Sequence, residues 1–146
     1  MSKITLFDKT FRPFIPNEEL EKAIDKVADH INADFSDSKE PVVLLCILNG
    51  SIMFTAELMK RLSFDCQLVS MKLSSYCGTE STGNVKQVMG MTGNIEGKHV
   101  IIVEDIVDTG NTIVDLTRIV KEKGALDCKV CTMLLKPEVY KKDVKL

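Results

Sequence analysis

Three carboxylates crowd into one short stretch, Glu104, Asp105 and Asp108 of HVIIVEDIVDTGNT, which runs from His99 to Thr112. Carboxylates so close together suit sugar hydroxyls, a metal ion or a cationic transition state. Thr109-Gly110-Asn111-Thr112 follows, and from Ile113 the pattern turns helical. A glycine lets the backbone approach a ligand closely, and the N–H groups of a helix start hold phosphate. Three acids would repel a bare phosphate. The pairing of acids with a phosphate cradle therefore fits a ligand that brings hydroxyls, metal or developing positive charge along with its phosphate.

Something must hold that stretch in place. Val100 to Val103 is a short apolar run, which suits a strand buried on both faces. In an open parallel sheet, ligands bind at the carboxyl ends of such strands. A second unit of the same kind lies upstream. Val42 to Leu48 is continuously apolar, Asn49-Gly50-Ser51 ends it, and Phe54, Leu58 and Leu62 then mark one face of a helix over Met53 to Leu62. An earlier helix is expected from about Glu18 to Asp34, capped by Asn17 and facing inward through Leu20, Ile24, Val27 and Ile31. Cys66 to Leu73 and Asp127 to Leu135 read as further strands. Ile113 to Lys123 reads as a helix closed by Gly124. Residues 1–16 read as an arm without regular structure. Ser74 to Asn84 is small, polar and glycine-containing, and with Val85 to Met91 it makes a hairpin long enough to act as a lid.

The segment EDIVDTGNT resembles the phosphoribosyl pyrophosphate (PRPP) motif of the type I phosphoribosyltransferases, and above all their hypoxanthine (6-oxopurine) branch. The likeness extends from about Val42 to Lys136. It implies an α/β fold, a mainly parallel sheet flanked by helices with a projecting flexible hairpin, as one domain over 1–146 with a core of about 37–136 and a mobile loop of about 74–86. It implies transfer of 5-phosphoribose from PRPP to hypoxanthine or guanine, giving a nucleotide and pyrophosphate, with Mg2+ as cofactor. In that scheme Glu104 and Asp105 hold the ribose hydroxyls, directly or through the metal. Asp108 is the general base, and backbone N–H groups from Asp108 through Thr109, Gly110, Asn111 and Thr112 hold the 5′-phosphate. Leu48, Asn49 and Gly50 correspond to a pyrophosphate-binding turn with a strained peptide bond at its start. The family commonly has Leu-Lys-Gly there, so this chain lacks the lysine charge. Ser75 and Tyr76, with Ser81-Thr82-Gly83, match the flexible catalytic loop that closes on pyrophosphate. Ile106 and Lys136 border the purine, the lysine meeting its exocyclic oxygen.

Two other classes fit the acidic strand end less well. A non-enzymatic PRPP-binding regulator of the same fold would need neither lid nor purine lysine. A receiver-like signalling domain would need its acids on separate strands. A phosphoribosyltransferase for another base stays open.

Composition sets the outer bounds. The chain has 146 residues, enough for one core, with 45% hydrophobic and 27% charged residues. A net charge of −2 with no basic block argues against nucleic acid. No apolar run reaches membrane-spanning length, and no signal-peptide core opens the chain. The five cysteines have no zinc spacing. Cys128 and Cys131 would point to opposite faces of a strand, so reduced thiols in a cytoplasmic protein are expected. A homodimer or homotetramer is expected from the resemblance, not from composition. After Lys136 the segment Glu138 to Leu146 shows no cap and no core face. Its Tyr140 has no evident anchor, and the family's C-terminal base-binding segment is not in the sequence. The purine half of the site is therefore expected to stand open.

Overall fold

The computed structural model describes residues 3–74 and 86–146. In chain order its elements are β1 (Ile4–Leu6), β2 (Lys9–Phe11), α1 (Asn17–Phe35), β3 (Val42–Leu48), α2 (Ile52–Met59), β4 (Gln67–Ser74), β5 (Lys86–Met89), β6 (His99–Val107), α3 (Asn111–Glu122) and β7 (Asp127–Leu135). Five strands form the main sheet in the order β5-β4-β3-β6-β7. β3 pairs parallel with β4 and β6, and β6 pairs parallel with β7. Only β5 runs antiparallel, against β4. This is the expected mainly parallel α/β fold.

The continuous apolar strands are explained by two cores, one on each face of the sheet. Val43, Leu45 and Ile47 of β3 join Val100 and Ile102 of β6 against Ile113, Leu116 and Val120 of α3. Val42 and Leu44 join Ile101 and Val103 on the other face, against Ile24, Ile31 and Phe35 of α1 and Phe54 and Leu58 of α2. Successive side chains alternate between the faces, so both kinds of position are apolar. Cys128 packs against the first core and Cys131 against the second, as alternation requires. Desolvation pushes the Cys131 thiol up to about 12, which leaves it protonated and inert.

The connections place the site. From β3 the chain crosses through α2 to β4 on one side. From β6 it crosses through α3 to β7 on the other side, over the opposite face. β3 and β6 are neighbours whose crossovers diverge. That is a topological switch point, where a crevice opens at the carboxyl ends of the strands.

Some expectations need correction. Residues 4–11 are not an irregular arm but an antiparallel hairpin, with Ile4 opposite Phe11. Its side chains are exposed, Phe7 fully so. Pro16, not Asn17, stands at the α1 N-cap, and Asn17 is the first helical residue. α2 ends at Met59, before Leu62. β6 does not stop at Val103. It continues through both acids to Val107, because its ladder with β7 runs on through Glu104 opposite Thr132 and Ile106 opposite Leu134.

Candidate active site

Because β6 remains a strand through Glu104 and Asp105, alternation sends the two carboxylates to opposite faces. Glu104 turns toward α3 and is 7% exposed. Desolvation, reinforced by the charge of Asp105, pushes its carboxyl up to about 7. Asp105 turns toward the turn after β3. Its Oδ1 accepts the backbone N–H of Ile106 at 2.8 Å, and its carboxylate lies directly against Gly50. A Cβ on Gly50 would fall 2.2 Å from Asp105 Oδ2, so only glycine admits this approach. The two acids therefore do not act as one group. Each borders a different turn.

The turn after β3 is braced from within. The Leu48–Asn49 peptide bond is cis. The Ser51 hydroxyl donates to Ile47 O at 2.8 Å, the Ser51 N–H donates to the same oxygen, and the Thr55 hydroxyl donates to Ser51 O at 2.7 Å. Asn49 and Gly50 are exposed, and among the described residues no acceptor takes their N–H groups.

The turn after β6 is built to face outward. Gly110 has φ of 84° and opens α3. The first helical hydrogen bond runs from Val114 N–H to Gly110 O at 3.1 Å. The N–H groups of Gly110, Asn111, Thr112 and Ile113 have no acceptor among the described residues, as at the start of any uncapped helix. They border a cleft of about 190 Å³, walled by Glu104 and the run from Ile106 to Ile113. Its size and its donors suit a phosphate group.

Parallel register brings the last piece into place. Val107 lies opposite Leu135, so the residues that follow, Asp108 and Lys136, leave the sheet side by side. Lys136 N–H donates to Val107 O at 3.0 Å, and Lys136 Nζ meets Asp108 Oδ2 at 3.2 Å. Both side chains are 54% exposed, and Ile106 beside them is exposed as well. An acceptor and a donor thus stand next to each other at the open mouth of the crevice.

A match to the phosphoribosyl transferase domain covers residues 15–146. The chain belongs to the phosphoribosyltransferase family. It is 35% identical over 133 residues to a hypoxanthine-guanine-xanthine phosphoribosyltransferase of Tritrichomonas foetus, spanning 91% of this chain and 72% of the relative. It is 38% identical over 125 residues to the hypoxanthine-guanine phosphoribosyltransferase of Streptococcus pneumoniae, spanning 85% and 68%. The crystal structure of a hypoxanthine-guanine phosphoribosyltransferase from Bacillus anthracis superposes with a TM-score of 0.83 at 35% identity, over 92% of this chain and 79% of that one. A Trypanosoma cruzi hypoxanthine phosphoribosyltransferase in complex with its product IMP gives 0.78 at 33% identity, over 88% and 72%.

Of the residues singled out in the sequence, this phosphoribosyltransferase gathers Leu48, Asn49, Gly50, Glu104, Asp105, Ile106, Asp108 to Thr112 and Lys136 at one end of the sheet. Ser75 and Tyr76 lie outside the described residues. Among the described residues, no three His, Cys, Asp or Glu side chains converge on a metal-sized site, and no helix is long and apolar enough to cross a membrane. A larger groove of about 770 Å³ lies between α1 and β7 and touches none of these residues.

Tyr140 is the residue that the sequence left without an anchor. It is not unanchored. Its N–H donates to Lys136 O at 3.2 Å, its hydroxyl donates to Val144 O, and its ring and Val144 both pack against the first core. No local pattern announces this, because the contact is made across the chain to Gly110.

Proposed function

We propose that the protein transfers 5-phosphoribose from PRPP to hypoxanthine or guanine, releasing pyrophosphate. The observation that carries this reading is Asp108 and Lys136 side by side at the rim of the phosphate cleft. A 6-oxopurine presents a ring N–H and an exocyclic oxygen on one edge. Asp108 can take the proton and Lys136 can donate to the oxygen. Adenine would turn an amino donor toward the lysine, and groups left unpaired in this way give polar sites their discrimination.

Position supports the remaining roles that the resemblance implies. The N–H groups of Gly110 to Ile113 hold the 5′-phosphate, with Thr109, Asn111 and Thr112 forming the rim. Those of Asn49 and Gly50 hold pyrophosphate. Glu104 and Asp105 approach the ribose from the two faces. Ile106 supplies an apolar edge for the base, and Ser75 and Tyr76, outside the described residues, are the pyrophosphate contacts that the family resemblance implies. As the C1–oxygen bond breaks, the carboxylates favour the cationic ribose.

Two carboxylates on opposite faces of one strand end do not make an all-protein cage. They do suit Mg2+ that arrives on the substrate's phosphates, which needs only one or two carboxylates beside them. The metal would neutralise the leaving pyrophosphate. A cytoplasmic location and a homodimeric or homotetrameric state belong to the same reading.

The test is an assay with PRPP–magnesium and each of hypoxanthine, guanine, xanthine and adenine, on the wild type and Lys136→Ala. Turnover with 6-oxopurines and not adenine is expected. Lys136→Ala should lower that preference by roughly tenfold or more, as loss of a charged hydrogen bond would. Equal use of adenine by the wild type would overturn the assignment of the base.

A further inference from the structure

The segment that follows β7 lies across the phosphate loop. Lys136 begins it, tied by its N–H to Val107 O and by its ammonium to Asp108. One turn later the Tyr140 ring covers Gly110. A Cβ on Gly110 would fall 2.5 Å from Tyr140 Cε2 and 2.8 Å from Lys142 Cγ. Gly110 is buried as a result, although its neighbours Thr109 and Asn111 are exposed. The strap closes at Val144, whose carbonyl accepts the Tyr140 hydroxyl and whose side chain rests on the first core. The loop that offers its N–H groups to the cleft on one side is thus pressed by an aromatic ring on the other.

We propose that Tyr140 is a positioning residue for the phosphate loop. Its ring backs Gly110, and its hydroxyl, bound to Val144 O, fixes the ring, so that the N–H groups of Gly110 to Ile113 are held ready for a phosphate. Donors aimed before the ligand arrives need not be ordered at binding, and that saving appears as affinity. The same strap begins at Lys136, so it also joins the phosphate loop to the donor that meets the base. The inference rests on the reading of this loop as the PRPP phosphate site.

The test uses the 146-residue chain with Tyr140→Leu, which keeps an apolar side chain on the core, and Tyr140→Phe, which keeps the ring. Amide hydrogen exchange is followed at Val114, whose N–H is bonded to Gly110 O at 3.1 Å and is released when the loop shifts, and PRPP–magnesium binding by calorimetry. Tyr140→Leu should speed exchange at that amide and weaken PRPP binding, each by about tenfold, since a misplacement on the order of 1 Å can cost up to a hundredfold. Exchange in α1 and β3 should not change. Tyr140→Phe should restore most of both. Where turnover is followed, the KM for PRPP should rise more than kcat falls. Should Tyr140→Leu not fold, Tyr140→Met, which fills the same space flexibly, takes its place. Unchanged exchange at Val114 would overturn the inference, and so would a rise spread evenly over the whole sheet. If the wild type fails to bind PRPP–magnesium, the functional reading falls, while the exchange comparison still judges the strap.

Discussion

β3–turn–α2 and β6–turn–α3 are the same supersecondary unit used for opposite ends. In the first, Ser51 and Thr55 serve the turn: the Ser51 hydroxyl and N–H both go to Ile47 O, and the Thr55 hydroxyl goes to Ser51 O. In the second, the N–H groups of Gly110 to Ile113 are committed to nothing among the described residues, and the side chains of Asp108 and Lys136 meet each other at the open mouth. The first turn is braced from within by Ser51 and Thr55, and so can present the uncommitted N–H groups of Asn49 and Gly50 in a fixed shape. The second defers its hydrogen bonds to a ligand and needs outside support, which the ring of Tyr140 supplies. A ligand cradle built from free donors requires bracing somewhere, and in the two units the bracing comes from different parts of the chain.

The contrast can be broken most sharply at Asp108. Asp108→Asn should lower turnover by roughly 10²–10⁴-fold, the usual share of a general base. PRPP binding and thermal stability should change far less, and steady-state kinetics beside calorimetry would separate the two. Undiminished turnover would take Asp108 out of the chemistry.

Next comes the joint between the units, where Gly50 touches Asp105. Gly50→Ala puts a Cβ where the carboxylate lies. Overpacking of this kind costs about 1–3 kcal/mol, or the carboxylate must move. Pyrophosphate and PRPP affinity should fall together, with little effect on the binding of inorganic phosphate.

Glu104 sharpens the comparison through pH. Its carboxyl is held at about 7, against 4.5 for the unperturbed group. The folded state therefore keeps the proton more firmly than the unfolded chain. Stability falls as pH rises from about 4.5 to about 7 and levels off above, by no more than about 3 kcal/mol. Urea unfolding of the ligand-free protein at pH 5.5 and pH 8 should show this component. Glu104→Gln should remove it and gain stability at the higher pH.

The smallest effect is expected at the internal brace of the first turn. Ser51 is fully buried. Ser51→Ala should cost about 1 kcal/mol of stability, read by denaturant unfolding, with kcat nearly unchanged. A large loss of turnover here would show that the first turn is as ligand-dependent as the second.

Much of this was legible from residue order alone. Val42 to Leu48 and Val100 to Val103 announced themselves by being apolar at every position, and the two-sided burial explains why. The acids and Gly110 were readable because their chemistry is local to one turn. The adjacency of Asp108 and Lys136 followed only from resemblance, since the register of β6 and β7 sets it. The length of β6 was hidden for the same reason, as polar Glu104 and Asp105 look like the end of a strand until β7 is seen beside them. The β1–β2 hairpin gave no signal, for its strands are three residues each and bury nothing. The anchor of Tyr140 was invisible because it lies at a glycine far back along the chain.

The register of the central strands also bears on how the molecule assembles. β6, α3 and β7 are consecutive, so the phosphate loop and the Asp108–Lys136 pair close over a short length of chain. β3 meets β6 only across a long detour through α2, β4 and β5. Contacts between distant segments carry the larger loop-closure entropy and form late. The half of the crevice proposed to grip the 5′-phosphate should therefore be shaped before the half proposed to face pyrophosphate. Competence to bind PRPP should appear with the last pairing of the sheet, and refolding followed by PRPP binding should lag behind refolding followed by circular dichroism.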